Sequence, residues 1–195
     1  MDFAAALSSD SVREQSGAAV FLRSKGADGA EHLAALLRCC TAVKTVGTSK
    51  LDKYEEALLG YGAMTLGEIV KQVGFTSTNP LHVQILSWIV QTTDSPNLNV
   101  AAHSIWGVGL LAARHPEAIN CLKRIIESDL RDEEHEIVKL RAIALRMLAM
   151  IDVTLATDYR SSKAWQELKD SYDWWQRESP VDWLKDELHW LFRSN

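Results

Sequence analysis

The sequence predicts an all-α protein, and three observations carry that expectation. Apolar residues recur at three- and four-residue spacing through almost all of the 195 residues, which is the helical period. Ten glycines and four prolines amount to about 7% of the chain, against an average of about 12%. A sandwich or barrel that turns every ~8–12 residues uses more of both. All four prolines, Pro80, Pro96, Pro116 and Pro180, stand where a helix would begin. A proline at the first helical position forfeits no hydrogen bond, and the residue before it is pushed out of helical geometry.

Taken in chain order, these signals place helices near 10–25, 28–46, 50–73, 79–93, 97–114, 116–129, 132–152, 161–178 and 180–193. The first opens on Ser11-Val12-Arg13-Glu14, the form of a capping box in which Ser11 and Glu14 satisfy two otherwise unpaired amides. Gly26 and Gly29 supply its stop, and Gly47 stops the second. The third, 50–73, reads as one helix or two, because Gly60, Gly62 and Gly67 each weaken it; Gly74 ends it. Pro80, Pro96 and Pro116 open the next three. The last two carry the tryptophans: Trp165, Trp174, Trp175, Trp183 and Trp190 are five of the seven, within 26 residues. Connections are short, so consecutive helices should pack antiparallel. No stretch alternates long enough to make a strand.

The helices fall into pairs whose first members look alike. Aligning Val12, Val100 and Val138 superposes Ser16, Ser104 and Ala142, then Leu22, Leu110 and Leu148. The 50–73 segment fits less well, through Ala57 and Ala63. The offsets of 41, 47 and 38 residues lie about the ~40–47-residue period of HEAT and armadillo units. The run Asn99-Val100-Ala101-Ala102-His103-Ser104-Ile105-Trp106-Gly107-Val108-Gly109-Leu110-Leu111 resembles a HEAT first helix, and Pro116 to Ile126 follows as its second. Glu136 to Leu145 then opens the next unit. The chain thus resembles the HEAT-like and armadillo-like α-solenoids over 95–152, more weakly over 10–93, and not beyond about 155. It departs from them in having no proline within a first helix. The resemblance implies a right-handed α-α superhelix of about four HEAT-like helix pairs in one domain, 1–195. Its repeats would span 10–152, and a Trp-rich helical cap would close it over 161–195.

Several function classes are disfavoured by the residues. The amino terminus, Met1-Asp2-Phe3-Ala4-Ala5-Ala6-Leu7, is acidic where a signal peptide is basic. The longest uncharged apolar run, Val100 to Ala113, falls short of the roughly 20 residues a membrane span needs. Cys39, Cys40 and Cys121 are odd in number and form no CxxC, so neither a disulfide framework nor a zinc site is expected. A cytoplasmic protein fits best. His135-Glu136 begins like a zincin, but Lys139 stands where the second histidine would be, and no metal or cofactor is expected. Gly60-Tyr61-Gly62 follows no strand and is not a dinucleotide fingerprint. With neither a GxSxG nor a Walker loop, the expectation is a protein that is not an enzyme.

In a solenoid the second helices line the concave, partner-binding face. Their polar positions form stripes: Glu31 and Arg38 on 28–46, Gln84, Ser87 and Gln91 on 79–93, and Asn120, Arg124 and Glu127 on 116–129. Trp174 lies off the main aromatic stripe of the cap and is a candidate anchor. These stripes mix amides with both signs of charge, where a phosphate-binding groove would accumulate Lys and Arg. The net charge of −5 is spread evenly, with 8 basic and 10 acidic residues over 1–100 and 13 and 16 over 101–195. The expected function is therefore a non-catalytic module that presents a concave helical surface to a protein partner, as a monomer or weak homodimer. In its narrower form it is an immunity-type inhibitor that neutralises a toxic protein; size, charge and the lack of catalytic motifs carry that likeness. The alternative is a nucleic-acid-binding HEAT-like protein of the DNA-repair type, using Lys123, Lys139, Arg141 and Arg146. Asp129, Asp132, Glu133, Glu134 and Glu136 interleave with that basic stripe and would cancel much of its field.

Overall fold

Helix caps written into the sequence start most of the observed elements. The computed structural model describes residues 2–43, 50–111, 114–128, 135–162, 165–166 and 169–170. Within them lie α1 (Phe3–Ser8), α2 (Val12–Leu22), a 3-10 stretch (Arg23–His32), α3 (Leu33–Ala42), α4 (Lys53–Val73) and α5 (Pro80–Thr92). After these come α6 (Leu98–Leu110), α7 (Pro116–Glu127), α8 (His135–Ile151) and α9 (Val153–Thr157). No strand occurs among the described residues, so the protein is all-helical. The 180–193 helix and most of 161–178 lie outside the described residues.

Pro80 and Pro116 take the first helical turn behind Asn79 and His115, whose side chains accept amides of that turn. The structure corrects two boundaries and one capping box. Pro96 precedes α6 rather than opening it, because Asn97 is the cap and accepts from the amides of Asn99 and Val100. Ser11 accepts from the Glu14 amide, but its own N–H donates to Ser9 Oγ, so the box there is half formed. The complete capping box is Asp52 with Glu55, at the start of α4. Residues 28–32 belong to the 3-10 stretch, kinked at Gly26 (φ 56°), and α3 begins only at Leu33.

The chain divides into two compact units, Met1–Ala113 and Arg114–Asn195. In the first, each helix packs on its neighbour in sequence and on the next but one. The helices α2, α4 and α6 meet in succession, and α1, α3 and α5 do the same beside them. Two layers result. The aligned positions Ser16 and Ser104, and Leu22 and Leu110, are buried. Central to the unit is α4, which touches α2, α3, α5, α6 and the 3-10 stretch. Its Leu58, Leu59, Ala63, Leu66, Ile69 and Val70 are wholly buried. Each of its large aliphatics is stabilised by roughly 1.5–3 kcal/mol on leaving water.

The three glycines of α4 do not divide it; they let other helices approach. A methyl group on Gly67 would run into the Gly107 carbonyl of α6, and one on Gly107 would meet the Ala63 carbonyl oxygen at 2.6 Å. A methyl on Gly62 would overlap Cys40 Sγ of α3, and one on Gly60 would meet His103 at 3.2 Å. Hydrogen bonds of long sequence separation tie the same layer together. Thr65 Oγ1 donates to the Ala19 carbonyl at 2.8 Å, and the Ala27 amide donates to Gln72 Oε1 at 3.1 Å.

The second unit pairs α7 with α8 and α8 with α9. Its apolar face includes Ala118, Leu122, Ile126, Ala142, Leu145 and Leu148. Tyr159 is buried and donates its hydroxyl to Glu127 at 2.6 Å, and Arg114 pairs with Asp152 at 3.3 Å. Burial, then the Glu127 hydrogen bond, pushes the Tyr159 phenol well above its ordinary range.

Helix propensity and packing oppose one another at Gly67. Gly67→Ala should gain about 1 kcal/mol from propensity but lose about 1–3 kcal/mol from overpacking against a backbone that cannot yield, for a net loss. Gly17, within α2 and with open space where its Cβ would be, should gain about 0.5–1 kcal/mol as Ala. Urea unfolding of both variants checks the opposite signs.

Candidate functional site

Where α3 and α5 both end, the first unit carries a cleft of ≈ 410 Å³. Cys40, Thr41 and Val43 line one side, and Trp88, Gln91 and Thr92 the other; Asp94, Ser95, Pro96 and Val100 close it. The wall formed by the α5–α6 turn is held from a distance. Glu56 of α4 accepts from Asn97 Nδ2 at 3.0 Å and from Asn99 Nδ2 at 2.7 Å, clamping the start of α6. Ser95 Oγ in turn accepts the Asn97 amide at 3.2 Å.

The lining hydroxyls are committed to the main chain. Thr41 Oγ1 donates to the Leu37 carbonyl at 2.9 Å, and Thr92 Oγ1 to the Ile89 carbonyl at 2.8 Å. Cys40 is buried, with Sγ 3.6 Å from the Leu58 carbonyl. Burial and the adjacent Cys39 raise its thiol far above the ordinary range, so it stays protonated and unreactive. Cys39 is likewise buried beside the Leu7 carbonyl of α1, and burial raises its thiol too. Among the described residues no group of three His, Cys, Asp or Glu side chains gathers as a metal site would require. The polar groups of the cleft can recognise a ligand, through amide, carboxylate and indole.

The expected binding residues distribute unevenly. Gln84 and Gln91 are exposed and Ser87 half-buried on one face of α5, whose other face buries His82, Ile85, Leu86 and Ile89. Arg38 is exposed on α3, which packs against α5. Glu31 does not share its helix. It lies on the 3-10 stretch, exposed, with its carboxylate 3.5 Å from His32 Nε2. Asn120, Arg124 and Glu127 are exposed along α7 in the second unit, where Glu127 holds the Tyr159 hydroxyl. Trp174 lies outside the described residues.

No family model, curated protein or solved structure matches the chain. The site is therefore read from its own residues. Of the basic stripe, Lys123 and Arg146 are half-buried, and the Lys139 side chain lies outside the described residues. Arg141 is buried, at 3% exposure, which removes it from any surface that could meet phosphates. Its i, i+4 neighbour Leu145 is wholly buried, so the face it shares is the packed one. Among the described residues no helix is long and apolar enough to cross a membrane.

The cleft residues Thr41, Trp88 and Asp94 and the Glu56 clamp escaped the sequence reading. Asn97 after Pro96 has a local signature as a helix cap. Its tie to Glu56 joins residues 41 apart and has none.

At the other end of α5, His82 is buried, stacks on Phe75 with centroids 6.0 Å apart, and accepts the Thr76 amide on Nδ1 at 3.2 Å. Desolvation lowers its pKa from the ordinary 6.5. The unfolded chain thus binds this proton more readily than the folded one, so stability rises with pH through that window. His82 should contribute fully above pH 6.5 and lose its contribution as pH falls below it. His82→Asn keeps an acceptor but cannot take the charge. Melting temperatures measured between pH 7.5 and 5 should fall less steeply in that variant.

Proposed function

We propose that the chain is a non-catalytic protein-binding module whose second-helix faces engage a protein partner. One observation carries this reading. The side chains of Gln84 and Gln91 stand exposed on one face of α5 and make no hydrogen bond among the described residues, while the opposite face is core. Two long amides held on a rigid helix and left without an internal task are suited to recognition. Arg38 on the adjacent helix adds a guanidinium, a group enriched at binding hot spots.

The layered neighbour pattern of α1 to α6 supports the HEAT-like reading, since a stack of helix pairs makes contacts only between adjacent units. On that reading the repeats form a right-handed superhelix of about four pairs, ended by the Trp-rich segment. The stripe of Asn120, Arg124 and Glu127 on α7 is a second set of exposed polar side chains suited to a protein partner. A mixed stripe of amides and both charge signs sets register on a protein partner. The acidic balance fits a basic or toxic protein held inactive in the cytoplasm, in the manner of an immunity protein. No cofactor is required.

Affinity purification from the native host, read by mass spectrometry, tests the reading. The unaltered chain should retain a partner that Gln84→Ala, Gln91→Ala and Arg124→Ala each weaken about fivefold or more, as hot-spot truncations do, with modest salt dependence. Equal retention by all variants overturns it. So does retention on an oligonucleotide column that is lost steeply with salt.

A further inference from the structure

Glycine inside a helix is costly and is kept where something must come close. At Gly60, Gly62, Gly67 and Gly107 the missing side chain leaves room for an atom of another helix, but one added at Gly17 of α2 would meet nothing within 4 Å. Gly17 lies at the middle of the outward side of α2. Ser16, Ala18, Ala19 and Leu22 are buried, and at the helical pitch Arg13, Glu14, Gly17, Val20, Phe21 and Ser24 share the opposite side. Phe21 is 57% exposed, the most exposed of the large apolar side chains among the described residues, and Val20 beside it is 41% exposed. An apolar knob thus stands one turn from a bare stretch of backbone.

The two ends of this face carry opposite charge. Glu14 lies in the first turn of α2, and Arg23 and Lys25 are exposed just beyond its last residue. None of the three belongs to an ion pair among the described residues. Arg13 is otherwise engaged, lying over the Tyr54 ring at 5.9 Å from its centroid.

We propose that α2 pairs antiparallel with α2 of a second copy of this chain, each Phe21 seated on the partner's Gly17. The face is complementary to itself, because turning one copy end for end puts knob on hollow twice, as a two-fold axis requires. In that register Glu14 comes opposite the partner's Ser24, between the partner's Arg23 and the partner's Lys25, and the opposed helix dipoles attract. A parallel pair would set Glu14 against Glu14 and basic end against basic end. The missing Cβ of Gly17 lets the ring reach the main chain, as Gly67 and Gly107 let α4 and α6 meet. One face of an eleven-residue helix buries little area, so the association is weak and reversible. The pairing goes beyond the partner-binding reading, which is carried by α5, and does not rest on it.

Sedimentation velocity of the whole protein, from micromolar to millimolar concentration, tests the pairing. The sedimentation coefficient should rise from that of a monomer to that of a dimer. Phe21→Ser and Gly17→Leu should each weaken association about tenfold or more. Gly17→Leu adds apolar surface in open space, so it separates close approach from mere stickiness. Glu14→Lys should weaken association about threefold, and adding Arg23→Glu and Lys25→Glu to it should restore the dimer. Far-UV circular dichroism establishes that each variant is folded. The proposal is overturned if the chain stays monomeric at millimolar concentration, as it would with this face covered by another segment of the chain or reserved for an unrelated protein. It is equally overturned if Phe21→Ser associates as the unaltered chain does, if Gly17→Leu associates more tightly, or if the exchanged charges restore nothing.

Discussion

The backbone-to-backbone approach of α4 and α6 is the constraint on which the first unit depends. Ordinary helix pairs stand 8–10 Å apart according to the side chains between them. At Gly67, Gly107 and Ala63 there is almost no side chain to intervene, and carbonyl groups of one helix lie against Cα positions of the other. A helix so close to its neighbour fixes that neighbour's height and rotation. With α6 fixed, α5 must fit between α6, α4 and α3, all of which it touches. The width of the cleft at the ends of α3 and α5 follows from that fit. Glycine in a helix interior is costly, and here the cost is offset by dispersion contacts that no larger residue would permit.

Polar groups inside the unit reinforce the same arrangement. The Thr65 hydroxyl finds the Ala19 carbonyl, and Ser104 finds the Val100 carbonyl within its own helix. Both side chains are wholly buried, and an unsatisfied hydroxyl there would cost about 1–3 kcal/mol. The Glu56 clamp differs in kind. It lies nearer the surface and holds the first turn of α6 through two amides, so the α5–α6 turn presents Asp94 and Ser95 in one place. Core polar pairs set the packing of the unit; the clamp sets the shape of its opening.

What could be read in the sequence was what acts over three or four residues. The helical period, the prolines that open α5 and α7 and the stop at Gly74 (φ 86°) are local chemistry. α1 and α9 were missed although Asp2 and Asp152 cap them, because runs of six and five residues are too short to declare a period. The glycines of α4 misled for a physical reason. Propensity is a property of one residue, whereas their use is a property of partners on other helices, Cys40, His103 and Gly107. The same limit hid the cleft. Gln91 was visible as one member of an exposed stripe, but Trp88 and Asp94 acquire meaning only when the end of α3 is placed opposite. Arg141 failed in the other direction, since a charged residue in an amphipathic run reads as surface until its face is seen to be packed.

Four of the tertiary hydrogen bonds that join elements of the first unit share a length scale. They link residues 41, 43, 45 and 46 apart, while the two thiol contacts of α3 span 32 and 18. Each of the four therefore closes a loop of similar size, with an entropic cost that varies little from one to the next. None requires the chain to find a segment from its far end. During synthesis, α2 can dock on α4 as soon as α4 emerges, and α4 can receive α6 one pair later. Within the first unit each element therefore packs mainly on elements no more than two helices before it.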